Sequence, residues 1–172
     1  MSGAGPRSSD RAADVARTDH GDPQRVLLSL VAIFSDMDLN EARDMIRAQH
    51  HAVLATVRPD GEPQMSPVLT TLDSEGFAVI STRETAYKVH NLRRDPRAWL
   101  CVLPDSFFGR WIRIDGRAEI VSLPDAMDGL IAYYRSISGE HPDWDDYRRA
   151  MIRDQRCLIR IRLERAGPDR EG

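Results

Sequence analysis

The stretch Arg110-Trp111-Ile112-Arg113-Ile114-Asp115-Gly116-Arg117-Ala118-Glu119-Ile120 decides the fold class of this 172-residue chain. Its alternation predicts a β-strand with one apolar face, which carries Ile112, Ile114, Gly116, Ala118 and Ile120. The opposite face carries Trp111, Arg113, Asp115, Arg117 and Glu119. No other part of the chain shows so clear a strand pattern.

Working outward, five more strands are predicted over residues 51–58, 64–72, 77–82, 98–103 and 158–163. Turn residues at 59–63 and 73–76 join the first three of these into an antiparallel meander. Pro67 lies inside a predicted strand, which indicates either a sheet edge or a bulge.

Short helices interrupt the strands, and they are predicted over 38–49, 85–94, 122–139 and 144–154. Asp38 and Glu41 have the spacing of a capping box, as do Ser122 and Asp125, and Gly139 is placed to end the third helix. Six antiparallel strands with short helices between them predict a small closed or nearly closed barrel, because closure removes unpaired sheet edges.

Composition limits the function classes. A net charge of −3 and 41% hydrophobic residues are ordinary for one compact, soluble domain, and we expect no nucleic-acid partner, no membrane span and a cytoplasmic location. Cys101 and Cys157 have no metal-ligand spacing, so no metal site is predicted. The expected organisation is a disordered tail at 1–23, an extra helix at 24–35, the barrel domain at 36–164 and a flexible tail at 165–172.

Lys88 is the only lysine among the 24 basic residues. The segment around it leaves a predicted strand and enters a helix, so Ser81, Thr82, Arg83, Lys88 and free backbone amides could converge on a phosphate. The alternative is an ordinary solvated basic face balanced by nearby acids. No nucleophile or acid–base pattern stands out, and this favours a bound cofactor as the source of the chemistry.

Four segments in order resemble the pyridoxamine 5'-phosphate oxidase-like split β-barrel family: VLATV at 53–57, DGEPQMSPV at 60–68, KVHNLRRDPR at 88–97 and RWIRIDG at 110–116. The segment at 130–148 is similar to a mycobacterial-type group within the F420-dependent flavin/deazaflavin oxidoreductases, in a branch like the B group. The resemblance covers residues from about 40 to 163. It implies a mainly β (α+β) fold with flanking helices, built on a six-stranded antiparallel split barrel.

The resemblance also implies a homodimer with two cofactor sites at the subunit interface. The cofactor ring is then expected along Gln64, Met65, Ser66, Pro67 and Val68. Its phosphate is expected near Ser81, Thr82, Arg83, Lys88 and Asn91, with Trp111 approaching from the partner subunit. Relatives often carry a second cation two residues before the lysine, where this chain has Ala86. Either Arg83 compensates for that cation, or the cofactor tail binds differently.

The function that the resemblance implies is hydride transfer from reduced coenzyme F420 to an electron-poor conjugated small molecule. No side chain is assigned as the catalytic acid. Two alternatives stay open at this point: a split-barrel oxidoreductase that uses FMN, and a protein that binds or stores F420 without turnover. A haem-binding barrel is disfavoured because no persuasive axial ligand is present.

Overall fold

A computed structural model describes residues 37–167 and 170–171. The tail predicted at 1–23 and the helix predicted at 24–35 lie outside the described residues. Within this part of the chain, the helices are α1 (Leu39–Ala48), α2 (Tyr87–Arg94), α3 (Met127–Ser138) and α4 (Trp144–Arg153). The strands are β1 (His51–Val57), β2 (Pro63–Leu69), β3 (Thr71–Leu72), β4 (Ala78–Arg83), β5 (Arg97–Leu103), β6 (Arg110–Val121), β7 (Arg156–Ala166) and β8 (Arg170–Glu171).

A single antiparallel sheet orders the strands β2-β1-β5-β6-β7-β4-β3, and β8 pairs with β6. The two ends of this order, β2 and β3, are consecutive in the chain and only Thr70 separates them. The Thr70 backbone N–H donates to the His50 carbonyl at 2.8 Å, and its hydroxyl donates to the Val79 carbonyl of β4 at 3.2 Å. The sheet therefore curls until its two edges meet at Thr70.

The predicted mainly β split barrel with flanking helices is confirmed, with eight described strands instead of six. One extra strand arises because the predicted strand at 64–72 divides at Thr70, where the chain passes from one edge of the sheet to the other. The other is β8, which lies within the segment predicted as a flexible tail. The last long strand also continues past 164, to Ala166.

The barrel interior holds the main hydrophobic core. On β6 the predicted alternation is observed, because Ile112, Ile114 and Gly116 are buried whereas Arg117 and Glu119 are exposed. Side chains from the other strands complete this core, among them Leu54, Ile80, Leu100, Ile159 and Ile161. A second, smaller core lies where α3 and α4 pack against β7, and it consists of Ala126, Leu130, Ile131, Tyr147, Met151 and Leu158.

Helix ends agree with the predicted signals in most places. The Asp38 carboxylate accepts a hydrogen bond from the Asn40 backbone N–H at 2.7 Å, and Gly139 ends α3 with φ of +80°. The third helix begins at Met127 rather than at Ser122. Residues 122–126 form turns instead, because Pro124 disfavours the helical conformation in the residue before it.

Pro67 lies on β2, at an edge of the sheet, and pairs with Val53 in unbroken register. The sequence indicates either a sheet edge or a bulge at Pro67, and the structure shows a sheet edge. A register shift of the sheet occurs instead between Asp115 and Gly116 on β6. A Cβ atom at Gly116 would overlap the Arg162 carbonyl oxygen and lie 2.8 Å from the Ile161 side chain. The absence of a side chain here lets β6 and β7 approach each other.

We expect Gly116→Ala to lower the free energy of unfolding by about 1–3 kcal/mol, because the added methyl group overpacks the contact between β6 and β7. Urea denaturation followed by circular dichroism measures the change. Arg117→Ala is the matched control, since its exposed side chain makes only a 3.6 Å ion pair with Glu164, and its effect should stay within about 0.5 kcal/mol. Equal stability of Gly116→Ala and the parent protein would contradict this account.

Candidate functional site

A cavity of about 460 Å³ lies where the edge strand β2 approaches β4. Helices α2, α3 and α4 and the start of β7 complete its walls. The lining residues combine apolar, aromatic and cationic side chains, and they are Pro67, Val68, Leu69, Ser81, Lys88, Tyr133, Tyr134, Tyr147, Met151 and Arg156. The cavity therefore depends on the same closure of the sheet that forms the barrel.

Two cations, Lys88 and Arg156, face this cavity. Within the described residues, neither forms an ion pair with a carboxylate, and Arg156 Nε is shielded from solvent without a hydrogen-bond partner. Burial lowers the pKa of Lys88, because its charged form loses hydration. Two positive charges that are not paired with a carboxylate of the described residues make the cavity attractive to an anion.

The start of α2 adds to the positive character of this region. Ala86 is the N-cap residue and offers no side-chain hydrogen bond, and the first turn contains no acidic residue. The partial positive charge of the helix N-terminus is therefore not neutralised by its own first turn. This agrees with the expectation that the strand-to-helix segment favours an anion.

Three tyrosines supply the aromatic part of the wall. The Tyr133 hydroxyl donates to the Leu69 carbonyl at 2.9 Å, and the Tyr147 hydroxyl donates to the Leu130 carbonyl at 2.9 Å. Burial raises the pKa of Tyr133 to about 12, although the Ser81 backbone N–H and the Arg156 charge act in the opposite direction. Tyr134 stacks edge to face with Tyr147, with ring centroids 5.1 Å apart. Burial also raises the pKa of Tyr147. Tyr133 and Tyr147 are thus neutral at physiological pH, and backbone acceptors hold both in place.

Of the site residues predicted from the sequence, the structure brings Pro67, Val68, Ser81 and Lys88 to this cavity. A second group faces the barrel interior: Gln64, Ser66, Thr82 and Asn91. Among these, the buried Asn91 amide donates to the Thr56 hydroxyl at 3.1 Å, and the Gln64 amide donates to the Ser66 hydroxyl at 2.8 Å. The Thr56 hydroxyl in turn donates to the Gln64 side-chain oxygen at 3.3 Å, so these bonds connect α2, β1 and β2.

The remaining predicted residues lie apart from the cavity. Met65 is 65% exposed on the outer side of β2. The Arg83 side chain is 61% exposed and lies 3.7 Å from the Asp154 carboxylate. Trp111 is partly buried on the outer face of β6, opposite the buried Ile112. In this single chain the Arg83 side chain lies away from the cavity, whereas Arg156 lines it.

Sequence reasoning missed Arg156 and the three tyrosines. Arg156 opens the arginine-rich strand β7, and it pairs in register with Arg83 of β4. No pattern along the sequence separates Arg156 from Arg160 or Arg162, which serve surface ion pairs. Arg156, Arg160 and Arg162 share the outward face of β7, so what distinguishes Arg156 is its place at the start of that strand, where it lines the cavity with Ser81.

Among the described residues, no group of three or more His, Cys, Asp or Glu side chains is arranged to hold a metal ion. His50 and His51 are instead engaged separately, with ring nitrogens 3.0 Å from the Thr70 carbonyl and 2.8 Å from the Asp105 carboxylate. None of the helices in the described ranges is both long and apolar enough to span a bilayer.

Several solved structures share this fold. A conserved hypothetical protein, Rv2991 from Mycobacterium tuberculosis, is 26% identical, with a TM-score of 0.63 over 76% of this chain and 82% of that one. An F420 reductase is 21% identical, with a TM-score of 0.57 over 73% of this chain and 94% of that one. The heme storage protein HutZ from Vibrio cholerae is 18% identical, with a TM-score of 0.59 over 79% of this chain and 98% of that one.

The family comparison covers the whole barrel. Residues 39–167 match the model of the family described as pyridoxamine 5'-phosphate oxidase. This range begins at the first residue of α1 and ends one residue after β7, so it contains every element that lines the cavity. The resemblance seen in the sequence motifs is confirmed, and the chain belongs to the pyridoxamine 5'-phosphate oxidase family.

Proposed function

We propose that this protein is an F420-dependent oxidoreductase that transfers a hydride from the reduced deazaflavin to an electron-poor conjugated small molecule. The observation that carries the proposal is the cavity in which Lys88 and Arg156 face the same space, while neither forms an ion pair with a carboxylate of the described residues. A ligand with an anionic group and a flat ring suits a cavity that combines these cations with tyrosines and an edge strand.

The residues fit the phosphate of such a cofactor. The Arg156 guanidinium and the partly buried Lys88 ammonium can both donate to phosphate oxygens, and Ser81 adds a hydroxyl in the same wall. Arg156 then supplies the second cation that relatives carry near the lysine and that Ala86 lacks. The proposed anchor thus uses two cations from distant parts of the sequence.

The ring is proposed to lie along β2. Pro67 and Val68 line the cavity, and β2 is a sheet edge with β1 on only one side, so part of its backbone is available to a ligand. When bound, the deazaflavin supplies the hydride. Tyr133, Tyr134 and Tyr147 exclude water from the phosphate end, and the protein holds the ligand in a fixed orientation.

The choice of F420 rather than FMN rests on the sequence motifs and agrees with an F420 reductase among the proteins of the same fold. FMN also carries a phosphate and a flat ring. Haem storage by HutZ shows that the same fold serves other ligands. A direct comparison of F420 and FMN binding therefore tests the proposal.

We also propose a homodimer, based on the outer face of β2, β1 and β5. Apolar side chains cover this face, because Val53, Met65, Leu69, Cys101 and Leu103 all point away from the barrel core. Two further aromatic residues, Phe107 and Phe108, are 66% and 70% exposed at the adjoining loop. Pairing two such faces would remove this apolar surface from water and would bring Trp111 toward the partner's site.

Fluorescence titration of the purified protein should show F420 binding that is tighter than FMN binding at the same ionic strength. Lys88→Ala and Arg156→Ala should each weaken F420 binding roughly ten-fold or more, because each removes a charged donor to the phosphate. Arg149→Ala is the matched control, since it removes an arginine that is 64% exposed and paired with Asp146.

The titration separates the alternatives. Preference for FMN would assign the protein to flavin chemistry, and tight F420 binding without oxidation of reduced F420 by any electron-poor acceptor would indicate a storage protein. Unchanged F420 affinity in both Lys88→Ala and Arg156→Ala would refute the phosphate anchor. Weakening by Arg83→Ala as large as that by Arg156→Ala would restore Arg83 to the anchor.

F420 affinity should fall as the pH rises through the pKa of Lys88, because only the protonated amine attracts the phosphate. Burial lowers that pKa, so the loss should begin at a lower pH than for an exposed lysine. Lys88→Arg should extend binding to higher pH, since the guanidinium stays charged. Titrations across the alkaline range measure the effect, and identical pH profiles for the two proteins would contradict it.

Sedimentation equilibrium should show a dimer for the parent protein and a monomer for Val53→Lys, because a charge in the middle of the outer face cannot be desolvated cheaply. Ile152→Lys is the control, since it makes the same change at an exposed apolar residue outside that face. A parent protein that is monomeric at micromolar concentration would rule out the proposed homodimer.

A further inference from the structure

A second cavity, of about 340 Å³, shares Pro67 and Val68 with the first cavity. These are the two residues along which the cofactor ring is proposed to lie. The rest of the second cavity is formed by β1, the end of β5 and the loop that follows β5, with His51, Val53, Leu103, Asp105 and Phe107 among its lining residues. A molecule in the second cavity would therefore be a neighbour of the ring.

Most of the wall of the second cavity is apolar. Val53, Leu103 and Phe107 line it together with Pro67 and Val68. None of the described residues that line it is a lysine or an arginine, in contrast to the first cavity. An anion would lose hydration there without gaining a cationic partner of that kind. The second cavity thus suits a neutral, flat, apolar molecule.

The polar part of the second cavity is a pair formed by His51 and Asp105. The His51 Nδ1 atom lies 2.8 Å from Oδ1 of Asp105. A carboxylate accepts hydrogen bonds, so Nδ1 carries the hydrogen of this bond. Within the described ranges no hydrogen bond occupies Nε2 of His51, and the side chain is 58% exposed. His51 can therefore exchange a proton with a ligand and with solvent through Nε2.

The loop after β5 holds Phe107 in an unusual conformation. Phe107 has φ of +70°, a left-handed conformation that bulky residues rarely adopt. Its backbone N–H donates to the Pro104 carbonyl at 2.9 Å, and the Ser106 hydroxyl donates to the Phe108 carbonyl at 2.7 Å. These bonds keep Phe107 at the wall of the second cavity, although its side chain is largely exposed. Strained residues of this kind concentrate at ligand sites.

We propose that the second cavity binds the molecule to be reduced, a neutral, flat, conjugated carbonyl compound, and that His51 is its proton donor. This inference rests on the proposed F420-dependent reduction. Reduction of a carbon–carbon double bond conjugated to a carbonyl adds one hydride at the β-carbon and one proton at the α-carbon. The cofactor supplies the hydride, His51 Nε2 gives the proton, and the imidazole regains a proton from solvent. Imidazole suits this exchange because its ordinary pKa lies near neutral pH.

Two of the lining residues, Val53 and Leu103, also belong to the outer face on which the homodimer is proposed. A partner subunit on that face would close the open side of the second cavity and keep water away from the bound molecule. Sedimentation tests the dimer and ligand binding tests the second cavity, so the two proposals can fail separately.

Fluorine NMR of the full chain without cofactor, with 4-fluorobenzylideneacetone as the probe, tests binding to the second cavity. We expect saturable binding with a dissociation constant on the order of 1 mM, as for a ligand of this size. Phe107→Ala should weaken binding at least roughly five-fold, because it removes an aromatic wall. Phe108→Ala is the matched control and should leave binding unchanged, since this neighbouring ring is exposed and does not line the cavity. The probe 4-fluorocinnamate, which has a carboxylate in place of the acetyl group, should bind at least roughly five-fold more weakly.

The proton-donor role is tested with reduced F420 bound. His51→Gln should keep the affinities for the probe and for F420 within about two-fold. It should lower the rate at which 4-fluorobenzylideneacetone oxidises reduced F420 by roughly 100-fold, because glutamine has no proton to give at neutral pH. His90→Gln is the control, since it makes the same change at an exposed histidine of α2 that lines neither cavity, and its rate should equal that of the parent protein.

Four results would overturn the proposal: no saturable probe binding up to about 10 mM, equal effects of Phe107→Ala and Phe108→Ala, no oxidation of reduced F420 by the bound probe, or an unchanged rate in His51→Gln. Failure of the F420 assignment has a different signature. The F420 titration would then show no binding, while fluorine NMR would still detect the probe in the second cavity.

Discussion

Closure of the sheet at Thr70 is the constraint on which the rest of the structure depends. A twisted sheet of this size leaves two unpaired edges unless it curls on itself, and here both edges belong to one short segment of chain. The buried Thr70 donates to both His50 and Val79, so the two edges meet at a defined register. Because β2 and β4 then approach each other, Pro67 and Ser81 come to line one cavity, which also contains the proposed phosphate anchor.

Ion pairing distinguishes the two residues of the proposed phosphate anchor, Lys88 and Arg156, from most other basic residues. Most arginines of the described chain lie close to a carboxylate, as Arg47 does to Asp44 and Arg97 to Asp95, and such exposed pairs contribute little to stability. Within the part of the chain that the structure describes, neither Lys88 nor Arg156 forms such a pair, although both line the cavity. A protein with a net negative charge thus keeps two cations unneutralised at one cavity, and this concentration of charge is what an anionic ligand would meet.

The sequence predicted helix ends and strand faces correctly where the residues that determine them are neighbours in the chain. The cap at Asp38, the end of α3 at Gly139 and the alternation on β6 all depend on residues within a few positions of one another. The predictions were wrong where contacts between residues far apart in the chain determine the local structure. The break at Thr70 needs β4 on its other side, and the shift at Gly116 needs the close approach of β7, so neither has a sequence signature of its own.

The sequence by itself determined the strand and helix types and the prominence of Lys88, because periodicity, turn residues and a lone lysine are visible along the chain, and the resemblance of four segments indicated the fold family. Only the tertiary structure decided which second cation lines the cavity together with Lys88. Arg83 and Arg156 are paired across β4 and β7, yet Arg83 is exposed near Asp154 and Arg156 lines the cavity. The physical reason is that direction and burial of a side chain follow from sheet register and packing, which connect residues far apart in the chain.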